Sequence, residues 1–244
     1  MRVLISQQEL ERRVRELAAE IDRDYSEVGG GAQGQAPHAG ELAGREPAQL
    51  LLRPPDRDAG EPPLWTSGDL PVDLPSQTGM RRRAPDDPLI CVGVLKGSVF
   101  FLTELLKLVT VPVAVDFFQT SSYGSRGASR GEVHIRKDID LAIGGHDVLL
   151  IEDIVDTGYT LRTILDLLRF RGARSVRLCA LLDKVSAREV EVKIDYLGFQ
   201  IENAFVVGYG LDFGERYRNL PYIAVYEPDE PSGVPSGTPP HLAR

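Results

Sequence analysis

Apolar residues recur along this chain at two different spacings, and the spacings divide it. Within residues 6–25, Leu10, Val14, Leu17, Ala18 and Ile21 return every three or four positions, which predicts a helix with one buried face. Ser6 and Glu9 stand at capping-box spacing at its start. Further on, apolar runs of strand length predict buried strands at 89–95, 148–151 and, around Arg177, 176–182, and a further strand at 113–118. Residues 132–136 alternate Val133 and Ile135 with polar neighbours, as a half-exposed strand does. Shorter apolar segments lie at 196–199 and 205–209, and 223–226 is predicted to close the sheet. Between the strands, 99–108 reads as a helix rich in Phe and Leu. A second helix opens near Thr157, carries Leu161, Ile164, Leu165 and Leu168 as its stripe, and ends at Gly172, which fits a C-cap after Arg169 and Arg171. Strands alternating with helices predict an α/β fold: a mainly parallel, twisted sheet flanked by helices.

The pattern fails between residues 28 and 87. This stretch is dense in Pro, Gly, Asp and Arg and cannot bury enough apolar surface to offset its ordering entropy, so it is predicted to be a disordered insertion. Its apolar clusters, Leu50-Leu51-Leu52 and Leu64-Trp65, suit either weak self-contact or docking of a partner. Residues 228–244 are rich in Pro, Ser and Gly and read as a disordered tail. The predicted organisation is an N-terminal helix (1–27), the insertion (28–87), a folded core (88–227) and the tail.

Composition narrows the class. The 244 residues carry a net charge of −8, which disfavours broad nucleic-acid or anionic-membrane binding. Cys91 and Cys179 sit in apolar runs and read as buried thiols in a reducing compartment. Charges interrupt the N-terminus from Glu9 onward, and no apolar run is long enough to span a bilayer. The expectation is a cytoplasmic protein.

The chemistry concentrates after the strand at 148–151. Glu152, Asp153 and Asp156 follow it, and Thr157, Gly158, Tyr159 and Thr160 open the next helix. Ligands of open α/β sheets bind beyond the carboxyl ends of the strands. A helix N-terminus with hydroxyls and a glycine is an anion site. Adjacent carboxylates beside it suggest a polyol, Mg²⁺ or both. Lys96-Gly97-Ser98 forms another strand-to-helix turn. The glycine-rich stretch 119–131, with Ser122-Tyr123, is either an ordinary hairpin loop or a lid. Lys184 ends a strand, where a lone lysine is usually solvated. A charged cluster occupies 211–218.

Taken in order, L-K-G (95–97), S-S-Y-G (121–124), E-D-I-V-D-T-G (152–158), L-D-K (182–184) and F-V-V-G-Y-G-L-D (205–212) resemble the type I phosphoribosyltransferases, in particular the hypoxanthine-guanine branch. The resemblance covers roughly 3–27 and 88–227. The 28–87 segment departs from it, since the family joins helix and strand there by a short loop. The resemblance implies a type I phosphoribosyltransferase-like fold with a small hood region. It also implies Mg²⁺-dependent purine salvage: phosphoribose passes from phosphoribosyl pyrophosphate (PRPP) to hypoxanthine or guanine, giving IMP or GMP and pyrophosphate.

Roles follow residue by residue from the same resemblance. Asp156 is the catalytic carboxylate that accepts or relays the purine proton, or stabilises the cationic ribosyl centre. The turn Leu95-Lys96-Gly97 meets pyrophosphate through backbone N–H groups, with a peptide bond before the lysine that is often cis, and Arg218 is a further pyrophosphate contact. Glu152 and Asp153 hold the ribose hydroxyls and Mg²⁺, and Asp212 is a second Mg²⁺ contact at the purine side. Thr157, Gly158, Tyr159 and Thr160 cradle the 5-phosphate. Ser122 and Tyr123 belong to a lid that keeps water from the activated ribosyl carbon. Lys184 donates to the purine six-oxo group, Phe205 stacks on the base and Val206 meets its edge. A homodimer or homotetramer is the assembly the resemblance implies. A non-catalytic PRPP-sensing regulator of the same fold is the alternative, and the retained Asp156 and Lys184 argue against it. An adaptor role for the insertion could coexist with catalysis.

Overall fold

The computed structural model describes residues 1–26, 64–65, 87–122 and 133–227. A seven-stranded sheet runs in the order β2-β5-β4-β3-β6-β7-β8. Its strands are β2 (Leu64–Trp65), β3 (Leu89–Leu95), β4 (Val113–Ser122), β5 (Val133–Lys137), β6 (Asp147–Val155), β7 (Ser175–Asp183) and β8 (Tyr196–Gln200). From β4 through β8 every pairing is parallel, whereas β5 and β2 add antiparallel at one edge. The expected mainly parallel α/β architecture is present.

Successive side chains of the central strands leave opposite faces and are buried on both. Leu89, Cys91, Leu149, Ile151, Cys179 and Leu181 pack with α1 (Gln7–Ser26) and α2 (Val99–Leu106). Ile90, Val92, Val148, Leu150, Leu178 and Ala180 pack with α3 (Tyr159–Phe170) on the other face. Both faces of these strands are therefore covered, which is why they read as apolar runs. The capping box of α1 forms: Ser6 N and Oγ donate to Glu9 Oε2 at 2.8 and 2.6 Å, and Glu9 N donates back to Ser6 Oγ at 3.3 Å. Gly172, with φ of 80°, follows α3, and its N–H donates to Arg169 O at 3.0 Å.

A second sheet, β1-β10-β9, joins β1 (Arg2–Ile5), β9 (Val206–Val207) and β10 (Ile223–Val225), all antiparallel. The segment expected to close the main sheet belongs here instead, paired with four N-terminal residues that the sequence pattern had left unassigned. Three further differences matter. Helix α2 ends at Leu106 rather than at 108. Strand β4 continues past 118 to Ser122, with Thr120, Ser121 and Ser122 opposite Ile135, His134 and Val133. Leu64 and Trp65, read as a cluster inside a disordered insertion, pair with His134 and Val133 and so extend the sheet. The rest of the 28–86 reading and the predicted tail fall outside the described residues.

Candidate active site

Strand β6 occupies the middle of the main sheet and delivers the acidic residues to its carboxyl end. Glu152 and Asp153 lie inside the strand rather than after it, since Glu152 pairs with Ala180 and the ladder runs on to Val155. Asp156 and Thr157 follow. Gly158 is the N-cap of α3 at φ 95°, and no side chain caps the helix. The first-turn N–H groups are thus left for an anion. A side chain at 158 would place Cβ 2.5 Å from Val190 O, so the left-handed turn and the close approach both require glycine. The turn is braced from outside: Glu189 N and Val190 N donate to Thr157 O at 3.0 and 2.9 Å.

The acidic pair is electrostatically tense. Glu152 Oε2 is buried without a hydrogen-bond partner, although the residue as a whole is only partly buried. Burial holds the Glu152 carboxyl well above the usual range, and the neighbouring Asp153 charge adds to this. Asp153 is pushed up to about 6, chiefly by burial, despite the bond its Oδ1 accepts from Ile154 N at 3.0 Å. Two desolvated carboxylates side by side are stable as a pair only beside a cation or donors that replace the lost water.

Cationic groups face them from two loops. The Leu95–Lys96 peptide is cis, as the resemblance led one to expect. Lys96 Nζ lies 3.1 Å from Glu215 Oε2. Arg218 donates through NH1 to Gly210 O at 2.7 Å and pairs through NH2 with Asp212 Oδ1 at 2.9 Å. Its Nε is buried and has no partner. Gly210, at φ 104°, packs so closely that a Cβ there would lie 2.0 Å from Gly97 O. The resulting pocket, about 280 Å³, is lined by Lys96, Gly97, Glu152, Asp153, Asp156, Thr157, Gly158, Thr160, Asp212 and Arg218 among others.

Of the residues expected at the base, Asp212 lines this pocket, whereas Lys184, Phe205 and Val206 do not. Lys184 is only 8% exposed, so it is not the solvated strand-end lysine of the plainer reading. Its Nζ lies 3.8 Å from Asp156 Oδ2, and its N–H donates to Val155 O at 3.0 Å. Phe205 meets Phe213 and Tyr226 edge-on, with centroids 5.7 and 6.0 Å away. Val206 is buried in β9 opposite Val225. Tyr159 is the first residue of α3. Of the lid residues, Ser122 ends β4 instead of standing at a loop tip, and Tyr123 lies outside the described residues.

Three contributors were not foreseen. Thr120 lines the pocket because β4 runs on where a loop was expected. Glu215 bridges Lys96 and Arg218. Arg188 ties the site from behind, pairing with Asp183 and donating from Nε to Asp156 O at 3.1 Å. A single charged residue in a polar segment carries no periodic signal, so neither Glu215 nor Arg188 stands out in sequence.

The donor set suits a hard cation. Among the described residues no three His, Cys, Asp or Glu side chains converge, so Glu152, Asp153 and Asp212 share a pocket without forming a three-ligand cluster. Mg²⁺ characteristically takes one or two carboxylates and completes its shell with water and substrate phosphates. The orphaned Glu152 Oε2 and the raised Asp153 fit that pattern.

Sheet, acidic pair and anion cradle define the class, and residues 78–214 match the phosphoribosyl transferase domain family. The chain belongs to that phosphoribosyltransferase family. Its relatives there include hypoxanthine-guanine phosphoribosyltransferases. It is 49% identical over 139 residues to the hypoxanthine-guanine phosphoribosyltransferase of Bacillus subtilis, covering 57% of this chain and 77% of that one. It is 53% identical over 143 residues to the bifunctional protein TilS/HprT of Listeria monocytogenes, covering 59% of this chain but only 22% of the relative, so the chain spans about a fifth of that protein. A crystal structure of a hypoxanthine phosphoribosyltransferase from Staphylococcus aureus superposes with a TM-score of 0.66 at 32% identity, covering 93% of this chain and 92% of that one.

Proposed function

We propose that this protein transfers phosphoribose from PRPP to hypoxanthine or guanine, giving IMP or GMP and pyrophosphate, with Mg²⁺ as cofactor. The observation that carries the reading is the desolvated pair Glu152 and Asp153 beside the uncapped start of α3, with Lys96 and Arg218 on the same pocket.

In this reading Thr157, Gly158, Tyr159 and Thr160 receive the 5-phosphate through hydroxyls, N–H groups and the helix dipole. Glu152 and Asp153 receive the ribose hydroxyls and Mg²⁺, with Asp212 on a second contact. Bound Mg²⁺ would neutralise and orient the oxygens of the leaving group. Lys96, the Gly97 backbone and Arg218 hold pyrophosphate, and the orphaned Arg218 N–H gives it a donor already desolvated for the task. The bond from the ribosyl carbon to pyrophosphate breaks, and the bond to the purine nitrogen forms. The imidazole proton passes to Asp156, whose charge also faces the cationic ribosyl carbon. Lys184 donates to the six-oxo group, Phe205 supplies the stacking face, and the Val206 backbone meets the base edge. Ser122 and Tyr123 are proposed as lid residues. A PRPP-sensing regulator has no need of a buried lysine held 3.8 Å from Asp156, and that contact favours the enzyme. A homodimer or homotetramer belongs to the same proposal, as does a cytoplasmic location. Among the described residues no helix is long and apolar enough to cross a membrane.

The test is a panel of hypoxanthine, guanine, xanthine and adenine incubated with PRPP and Mg²⁺, with detection of nucleotide product. Formation of IMP or GMP and dependence on Mg²⁺ are the expected results. No nucleotide from any base, with PRPP binding intact, would leave the regulator as the better reading.

A further inference from the structure

Glu215 does something in this site that phosphoribosyl transfer does not require of it. One oxygen, Oε2, lies 3.1 Å from Lys96 Nζ and 3.2 Å from Arg218 NH2. These are the two side-chain cations on the pocket, and they come from different parts of the fold. The carboxylate is delivered by a tight turn. Glu215 stands at φ 64°, a left-handed conformation uncommon for a residue with a side chain. Its N–H donates to Asp212 Oδ2 at 2.8 Å, and Phe213 and Arg216 bridge across the turn. Yet the side chain itself is 64% exposed. Rigid backbone therefore carries a carboxylate to the cations, but burial does not lock it there.

We propose that Glu215 is a built-in occupant of the pyrophosphate subsite, a carboxylate that holds Lys96 and Arg218 until a polyphosphate displaces it. The proposal rests on the reading of the site given above. A carboxylate brings one negative charge to the two cations, whereas a polyphosphate brings several, so the ligand wins the exchange. Exposed pairs are individually weak, and Glu215 returns to water at little cost. In the absence of ligand, the bridge keeps two like charges from repelling each other and keeps stray monovalent anions off them. The consequence is a tax on every polyphosphate that binds, and faster departure of pyrophosphate once it has formed.

Isothermal titration of Mg²⁺–pyrophosphate into the full chain tests this, at low and at high ionic strength. Glu215→Gln keeps the shape and removes the charge. It is expected to bind pyrophosphate about two- to tenfold more tightly than wild type at low salt, the range expected for losing two exposed pairs. The gap should narrow at high salt, because the effect is one of screened charge. Glu215→Asn, which tolerates the left-handed turn well, should tighten binding in the same way. Unchanged or weaker binding in both variants would make Glu215 a brace that positions Lys96 and Arg218 and would overturn the proposal. Lys96→Gln is the control for the subsite and should lose affinity. If the wild type binds pyrophosphate and Lys96→Gln binds it equally well, the subsite lies elsewhere, and the proposal falls with that reading.

Discussion

The carboxylate of Asp153 occupies the place where a side chain on Gly97 would have to go: a Cβ at 97 would lie 1.6 Å from Asp153 Oδ2. The Lys96-Gly97 turn and the acidic pair therefore touch through a missing side chain. Gly97→Ala must push either the turn or Asp153 aside. Displacing a reacting group by about 1 Å can cost on the order of 10²-fold in rate. Gly97→Ala is expected to lose turnover on that scale while keeping its melting temperature near wild type. Steady-state kinetics with PRPP and hypoxanthine, alongside a thermal melt, checks both halves.

Asp156→Asn preserves shape but removes the charge facing Lys184 and, in the proposed reading, the proton acceptor. Loss of a general acid or base costs about 10²–10⁴-fold in rate. Turnover should fall by that order while PRPP binding persists, measured by single-turnover kinetics and titration. Near-normal turnover would remove Asp156 from the chemistry.

In the proposed reading Lys184 governs base choice. An ammonium can only donate, and a buried donor left unpaired costs about 1–3 kcal/mol, more when charged. Hypoxanthine and guanine offer an oxygen, whereas adenine offers an amino group. Wild type should reject adenine, and Lys184→Gln should lose six-oxopurine efficiency and narrow the gap. The comparison is kcat/KM for the three bases in both proteins; identical values in the mutant would mean Lys184 does not touch the base.

Deleting residues 29–84 removes β2, which among the described residues pairs Leu64 with His134 and Trp65 with Val133. Shortening a loop changes closure entropy slowly. The shortened chain should unfold cooperatively and remain active, with faster amide exchange along β5, which becomes the sheet edge. Loss of cooperative unfolding would show that the segment supports the core.

Asp116 sets an acid limit on stability. Burial alone would raise its pKa, but N–H groups of Leu141, Phe117 and Asp140 and the Lys137 ammonium outweigh burial and lower it. The donors lie at 2.9, 2.7, 2.6 and 3.2 Å respectively. With the folded pKa below the unfolded one, the unfolded chain takes up the proton first. The stabilisation is full above the unfolded value, about 3.9, and is lost as pH falls through the folded value. Asp116→Asn should be less stable at pH 7 and show a shallower loss as pH falls below about 4 in chemical denaturation.

The sequence was most legible where pattern and burial coincide. Strand 89–95 lies where its apolar run puts it, and the capping box of α1 forms as spaced. Strand β6 was read short because Glu152 and Asp153 look like a break, although their backbones continue the ladder to β7. Strand β1 escaped notice because four residues carry too little periodicity and their partner lies more than two hundred positions away. The Lys184–Asp156 contact joins two strand ends that sequence alone places independently, and Glu215 depends on a turn geometry that no spacing encodes.

The small sheet also imposes an order on biosynthesis. Arg2–Ile5 is made more than two hundred residues before its partner Ile223–Val225. At about 5–20 residues per second, some 220 residues separate them by roughly 10–40 s. The main sheet is complete in sequence by Gln200 and can collapse while β1 still waits. During that interval a ribosome-bound chain holds the main sheet without the small one, and β1 offers an unsatisfied strand edge to whatever is nearby.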